Sequence, residues 1–177
     1  MMKISKLLCK SFALLSLLLI ACSNTDDIQQ KVTEIDASQL KVRDPFIFYD
    51  ADTDYYYLHV NGTLKVKSYK SKDLLTWQEN GYSFLPSAGF WGKEDFWAPD
   101  FYKYEDKYYL FITLSAPGVK RGTSVLVSDR VTGTFQPLVN NAVTPQEWTC
   151  LDGSLYVDSE GTPWIFYCRE WVEVGDG

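Results

Sequence analysis

Three stretches of this sequence repeat one pattern, and that repeat limits the fold more than any other feature. Asp44-Pro-Phe-Ile-Phe-Tyr-Asp-Ala-Asp-Thr-Asp-Tyr-Tyr-Tyr-Leu is the first. Asp100-Phe-Tyr-Lys-Tyr-Glu-Asp-Lys-Tyr-Tyr-Leu-Phe follows 56 residues later, and Asp152-Gly-Ser-Leu-Tyr-Val-Asp-Ser-Glu-Gly-Thr-Pro-Trp-Ile-Phe another 52 on. Each reads as an acid, a strand, a polar turn and an aromatic strand. A further strand pair follows the first two: Thr63 to Lys70 before the Asp73-Leu-Leu-Thr-Trp77 turn, and Ser124 to Ser128 before Gly133-Thr-Phe135. Four short strands per repeat of about fifty residues make a β-propeller blade. Aromatic residues are 16% of the chain and no ten-residue segment carries a helical stripe, so the chain is all-β. A β-sandwich also has short strands, but it gives no reason for an aspartate to recur at one phase of every repeat.

Propellers close with about four to eight blades. At this spacing, Val42 to Gly177 supplies two blades and part of a third, and Val174-Gly-Asp-Gly177 reads as a turn between strands. The sequence therefore predicts a fragment or truncated reading frame covering about two and a half blades, with an aromatic-rich flank left exposed. Blades converge on a central axis, so the predicted positions of Asp44, Asp100 and Asp152 meet on one face of the ring. Carboxylates gathered in this way shift one another's proton affinities, which suits acid–base chemistry. The structural alternative is that each aspartate only caps a turn.

The first 21 residues read as a secretory leader, because Lys3, Lys6 and Lys10 precede the apolar run Ser11 to Ile20. The run is too short to span a membrane. Its end, Leu19-Ile20-Ala21-Cys22, looks like a bacterial lipobox, which predicts cleavage before Cys22 and acylation of that residue, with several acyl chains together giving a stable anchor. A plain signal peptide with an incidental cysteine is the alternative. Residues 22–41 read as a polar tether, and 42–177 as the propeller domain. Asp26-Asp27 resembles the surface-export tether of some Gram-negative lipoproteins, with a plain solvated linker as the alternative; the chain is expected at the outer membrane, on its periplasmic or outer side, touching lipid only through the anchor.

Without its leader the chain keeps 14 of its 17 basic residues against 23 acidic ones, a formal charge of −9. Nucleic acid is an unsuitable partner for that balance, as is a polyanionic glycan; a neutral polymer fits. Cys150 and Cys168 flank a predicted hairpin, and the sequence leaves open whether they are bridged or free. His59, the single histidine, has no cysteine or carboxylate partner in its strand and makes no metal site; it is a core or groove residue.

Arg43-Asp44-Pro45, Trp97-Ala98-Pro99-Asp100 and Leu151-Asp152-Gly153-Ser154-Leu155 resemble three successive signatures of family 43 glycoside hydrolases, over about Val42 to Glu170. The resemblance implies a five-bladed β-propeller that hydrolyses arabinose- or xylose-containing plant polysaccharides with inversion: an arabinofuranosidase, β-xylosidase or arabinanase. It implies that Asp44 is the general base and that Asp152 tunes the pKa of the general acid and orients it. That acid is a glutamate of a later blade, not in this chain; Glu170 lies short of its place, and neither Glu170 nor Glu173 is assigned to it. An inverting site holds its catalytic carboxyls about 6.5–9.5 Å apart to admit a water. Position 153 is more often proline in the family. Asp100, Trp97 and Trp91 are candidate substrate-binding residues, with rings able to lie on a sugar face, while Trp77 is a packing residue. No cofactor is implied, although some members hold an ion on the propeller axis through a late-blade histidine. The rival readings are a surface lipoprotein that holds glycan without cutting it, and a five-bladed fructan-cleaving enzyme sharing the early Asp-Pro. Asp152 with Gly-Ser-Leu, and Trp-Ala-Pro-Asp, favour family 43 over the latter.

Overall fold

A computed structural model describes residues 33–174. The leader, Cys22 and most of the tether lie outside the described residues. The first sheet contains β1 (Glu34–Asp36), β2 (Phe46–Asp50), β3 (Tyr55–Gly62), β4 (Lys65–Ser71) and β5 (Thr76–Phe84), in the order β1-β5-β4-β3-β2. The second is a meander of β6 (Glu94–Tyr104), β7 (Lys107–Ala116), β8 (Val119–Ser128) and β9 (Gln136–Pro137). The third is the hairpin of β10 (Cys150–Val157) and β11 (Pro163–Arg169). All pairings are antiparallel. These are two blades and the first half of a third, in the order of the sequence repeat.

The middle strands are continuously buried and mostly apolar because a blade is covered on both faces. Leu110 to Leu114 of β7 are all buried, and so are Tyr57 to Val60 of β3; aromatic and β-branched residues suit such strands. Phe101 of β6 is the hub between blades one and two. Its ring lies 5.0 Å from Phe48, 5.5 Å from Phe135 and 5.9 Å from Tyr108. His59 stacks flat on the same ring at 4.2 Å and pairs through Nδ1 with Ser83 Oγ at 2.7 Å. Burial pushes the imidazole pKa down to about 3, so His59 is a neutral core residue.

The order expected to begin at Val42 starts earlier. Residues of β1 pair with β5, Ile35 opposite Trp77. Ile35, Ala37, Leu40 and Val42 then pack on the outer side of blade one, against Leu58, Val60, Tyr69 and Trp77. These apolar residues are too widely spaced among polar ones to register as a strand, yet they suffice to cover one blade face. Trp77 is a packing residue, as its sequence context suggests, and its indole N–H donates to the Leu74 carbonyl at 3.1 Å.

The two cysteines are free thiols, Cys150 buried and Cys168 exposed. The ladder explains this: Leu151 faces Cys168 and Cys150 faces Arg169, so the two sulfurs point to opposite sides of the hairpin. On the hairpin's outward face Tyr156, Trp164 and Phe166 are exposed, and Tyr156 meets Phe166 edge-on at 5.4 Å.

Candidate active site

Asp44 stands just before the innermost strand β2 and Asp152 near the start of β10, while Asp100 lies within β6, just past its last register shift. The ladders are broken at this end by register shifts between Asp95 and Trp97, between Trp97 and Asp100, and between Leu151 and Ser154. Bulges of this kind re-aim side chains. Asp44, Asp95, Phe96, Ala98 and Asp152 all have left-handed backbone, with φ of 50°, 73°, 55°, 45° and 54°. Among the described residues the other non-glycine positions with positive φ, Asp54, Leu64, Leu74 and Glu105, sit in hairpin turns, where that conformation is ordinary. Away from such turns it costs about 1–3 kcal/mol per residue and persists only where the surroundings impose it.

Those surroundings are identifiable. Phe96 is fully buried between the blades. The Asp152 amide donates to the buried Thr113 hydroxyl at 3.0 Å. Gly153, where the family more often has proline, is pressed against Thr123: a Cβ there would lie 2.5 Å from its methyl and hydroxyl. The glycine and the threonine beneath it therefore fit together, and the aspartate beside them keeps its place.

The strained strand starts enclose a pocket of about 310 Å³ lined by Arg43, Asp44, Trp97, Ala98, Leu151 and Asp152. Asp44 and Asp152 thus share one cavity with one indole. Burial raises the pKa of Asp152, and the negative charges of Asp44, Asp100 and Glu170 raise it further. Arg43 approaches Asp44 at 3.3 Å, but both side chains are open to water, where such a pair is weak. A second hollow of about 360 Å³ on the flank between blades two and three is lined by Phe111, Leu155, Trp164 and other uncharged residues, and it holds no carboxylate.

Two candidates are placed otherwise than the sequence suggests. Asp100 is near enough to act on Asp152 but does not line the pocket. Its Oδ2 accepts the Ser154 hydroxyl at 2.7 Å and the Tyr102 hydroxyl at 3.1 Å, tying blade two to blade three. Trp91 is turned away: its indole N–H donates to Ser124 Oγ at 2.8 Å and its ring packs beside Phe90 at 6.2 Å. It braces the outer strands because β8 offers it a hydroxyl inside an apolar layer.

The two late glutamates are both engaged. Glu170 is ion-paired with the Arg121 guanidinium, and Glu173 accepts from Lys120 and from the amide and hydroxyl of Thr149. Lys120 and Thr149 hold Glu173 down to about 2, so it stays ionised and has no proton to give near neutrality. Among the described residues no group of three or more His, Cys, Asp or Glu is arranged for a metal. His59 is locked in the core and cannot serve the axial ion that some family members hold. Arg121 and Thr113 escape a reading of the sequence, and Ser154 enters it only as a member of the third signature; an arginine inside the half-buried β8 could have drawn notice.

The family model described as "Glycosyl hydrolases family 43" matches residues 37–176. Among characterised proteins, the chain is 24% identical over 151 residues to an extracellular exo-α-(1→5)-L-arabinofuranosidase of Cellvibrio japonicus (strain Ueda107), covering 76% of this chain and 42% of that protein. It is 24% identical over 112 residues to the extracellular endo-α-(1→5)-L-arabinanase 1 of Bacillus subtilis (strain 168), covering 58% and 35%. The crystal structure of an endo-arabinase from Bacteroides thetaiotaomicron VPI-5482 superposes with a TM-score of 0.77 at 61% identity, over 79% of this chain and 49% of that one. The chain spans about half the length of that structure and less of the other two.

Proposed function

The chain belongs to glycosyl hydrolase family 43, whose members are five-bladed β-propellers, and from that premise we propose that it forms part of a hydrolase of arabinose-containing polysaccharides. The observation that carries this reading is the shared pocket of Asp44, Asp152 and Trp97 at the strained end of the blades. Asp44 acts as general base: it draws a proton from a water whose oxygen attacks the anomeric carbon. The glycosidic C–O bond breaks, and a protonated carboxyl delivers its proton to the leaving oxygen. Water and leaving group lie on opposite faces of the sugar, so configuration inverts. In this reading Asp152, which lines the same pocket as Asp44, raises the pKa of the acid through its negative charge. Trp97 offers a ring to the apolar face of a pentose.

The relatives named as acting on α-(1→5)-linked arabinose make a linear arabinan the first substrate to try, with xylan as the comparison. The net negative charge suits a neutral polymer and not a polyanion or nucleic acid. The reading calls on no cofactor. Exported and lipidated at Cys22, the protein would meet such polymers at the outer membrane. Palmitate labelling lost in Cys22→Ala would support the anchor, and labelling that survives would remove it.

The rival reading is a lipoprotein that holds glycan without cutting it, for which the Trp97 ring beside the pocket would suffice. The protein made from its whole reading frame separates the two. Release of reducing ends from linear α-(1→5)-arabinan, with the inverted anomer seen first by proton NMR, is the enzymatic result. Saturable binding without release would establish the binding module.

A further inference from the structure

We propose that Arg121 is a positioning residue for the pocket, holding the Trp97 ring in place as a sugar platform and locking the third blade to the second; this rests on the hydrolase reading above. Its guanidinium carbon lies 4.3 Å from the centre of the Trp97 ring. Its Nε donates to Asp95 Oδ2 at 2.9 Å, and Nη1 pairs with Glu170 just beyond β11. Asp95 is fixed in turn by the Ser115 hydroxyl at 2.6 Å. All three charged side chains are largely shielded, with exposures of 22% for Arg121, 13% for Asp95 and 12% for Glu170, so water competes poorly for them.

The arrangement makes sense of the local backbone. Asp95, Phe96 and Ala98 are left-handed and the ladder slips on both sides of Trp97, so the strand itself does not fix the indole. Phe96 anchors one side of the bulge in the core, and Asp95 anchors the other through Arg121 and Ser115. One face of the indole lies against the guanidinium while 38% of the residue stays open and lines the acidic pocket. A planar cation with a fork of donors can satisfy two carboxylates and a ring at once; lysine offers a point charge without the plane. Two carboxylates from different blades also meet on this one cation. Its loss would leave Asp95 and Glu170 facing each other's charge beside Asp152, whose pKa Glu170 already raises.

The test uses the protein from its whole reading frame and combines Arg121→Met, Arg121→Lys, Trp97→Ala, Trp97→Phe and the double variants. Against a linear α-(1→5)-arabino-oligosaccharide, Arg121→Met should raise KM about tenfold with kcat changed by no more than about twofold. Trp97→Ala should do the same, and the Arg121→Met/Trp97→Ala double variant should be no worse than the worse single, because both remove one platform. Arg121→Lys should recover part of the loss. Additive losses in the double variant, or a fall in kcat with KM unmoved, would overturn the proposal while leaving the hydrolase intact. The near-UV circular dichroism band that disappears in Trp97→Phe should disappear in Arg121→Met too, in a protein with an unchanged far-UV spectrum. That reading needs no substrate. If the unaltered protein neither binds nor cleaves the oligosaccharide, the hydrolase reading falls, and the dichroism alone decides whether Arg121 holds the ring. A band unchanged in Arg121→Met would mean that it does not.

Discussion

The two ends of the blades use the same residue for opposite purposes. At the hairpin end, aspartates are satisfied. Asp73 accepts the amides of Thr76 and Leu75, Asp158 the Trp164 indole and the Thr162 amide, Asp54 the Lys72 ammonium and the Tyr49 hydroxyl, and Asp36 the hydroxyl and amide of Ser38. These contacts hold all four carboxyls below their ordinary pKa. Burial pulls Asp50 the other way, but the Thr53 and Tyr108 hydroxyls, the Thr53 amide and Lys103 outweigh it and hold it low as well. At the opposite end Asp152 is raised, by burial and by its acidic neighbours, and its strand is strained. Aspartate at a turn stabilises the fold; aspartate at the start of an inner strand is placed at some cost, and that cost is where chemistry resides.

The largest expected effect breaks function at one end alone. In the protein from its whole reading frame, Asp44→Asn should cost about 10²–10⁴-fold in turnover, even of an aryl pentoside with a good leaving group, because water still needs its base. Its melting temperature should not fall. Asp50→Ala is the mirror image. This buried carboxylate accepts from Thr53 N at 3.0 Å, Thr53 Oγ1 at 2.7 Å and the buried Tyr108 hydroxyl at 2.8 Å, so losing it should remove about 2–3 kcal/mol of stability in urea unfolding. The activity of the molecules that remain folded should stay near normal.

Smaller effects sharpen the contrast through pH. Asp152 has a folded pKa above its unfolded value, so the folded state holds more protons between the two and stability falls as pH rises through that window. Asp152→Asn should therefore raise the melting temperature slightly at pH 7 and leave it little changed at pH 3. In the enzyme it should move the alkaline limb of the rate profile to lower pH and slow poor leaving groups more than good ones. The hairpin-end acids run the other way: their stabilisation is present above the unfolded pKa near 3.9 and is lost as pH falls through their lowered values. The smallest effect is chemical. A thiol reagent should label Cys168 in the native protein and reach Cys150 only on unfolding, since the first is exposed and the second buried, with its pKa raised by that burial.

Much of this division was legible in the sequence. Aspartate at one phase of a fifty-residue repeat gave the blades and the pocket's two carboxylates, because strand alternation and turn chemistry are local. What stayed hidden depends on register between segments distant in sequence. Trp91 and Trp97 stand six residues apart in one aromatic stretch, and only the bulge at Asp95 to Ala98 turns one ring into the pocket while Ser124 takes the other. Asp100 carries the same signature as its two companions, yet a hydroxyl from the next blade occupies its carboxylate. Ile35, Ala37 and Leu40 read as tether until the face of blade one shows what they cover.

The most direct test of this contrast is the titration of Asp152 itself, followed by carbon-13 NMR of its carboxyl in the native protein and in Asp44→Asn. The account predicts a midpoint above the ordinary aspartate value of about 3.9, moving down when the Asp44 charge is removed. A midpoint at or below that value, unmoved by Asp44→Asn, would mean that the aspartates of the strained end are turn caps like those of the other.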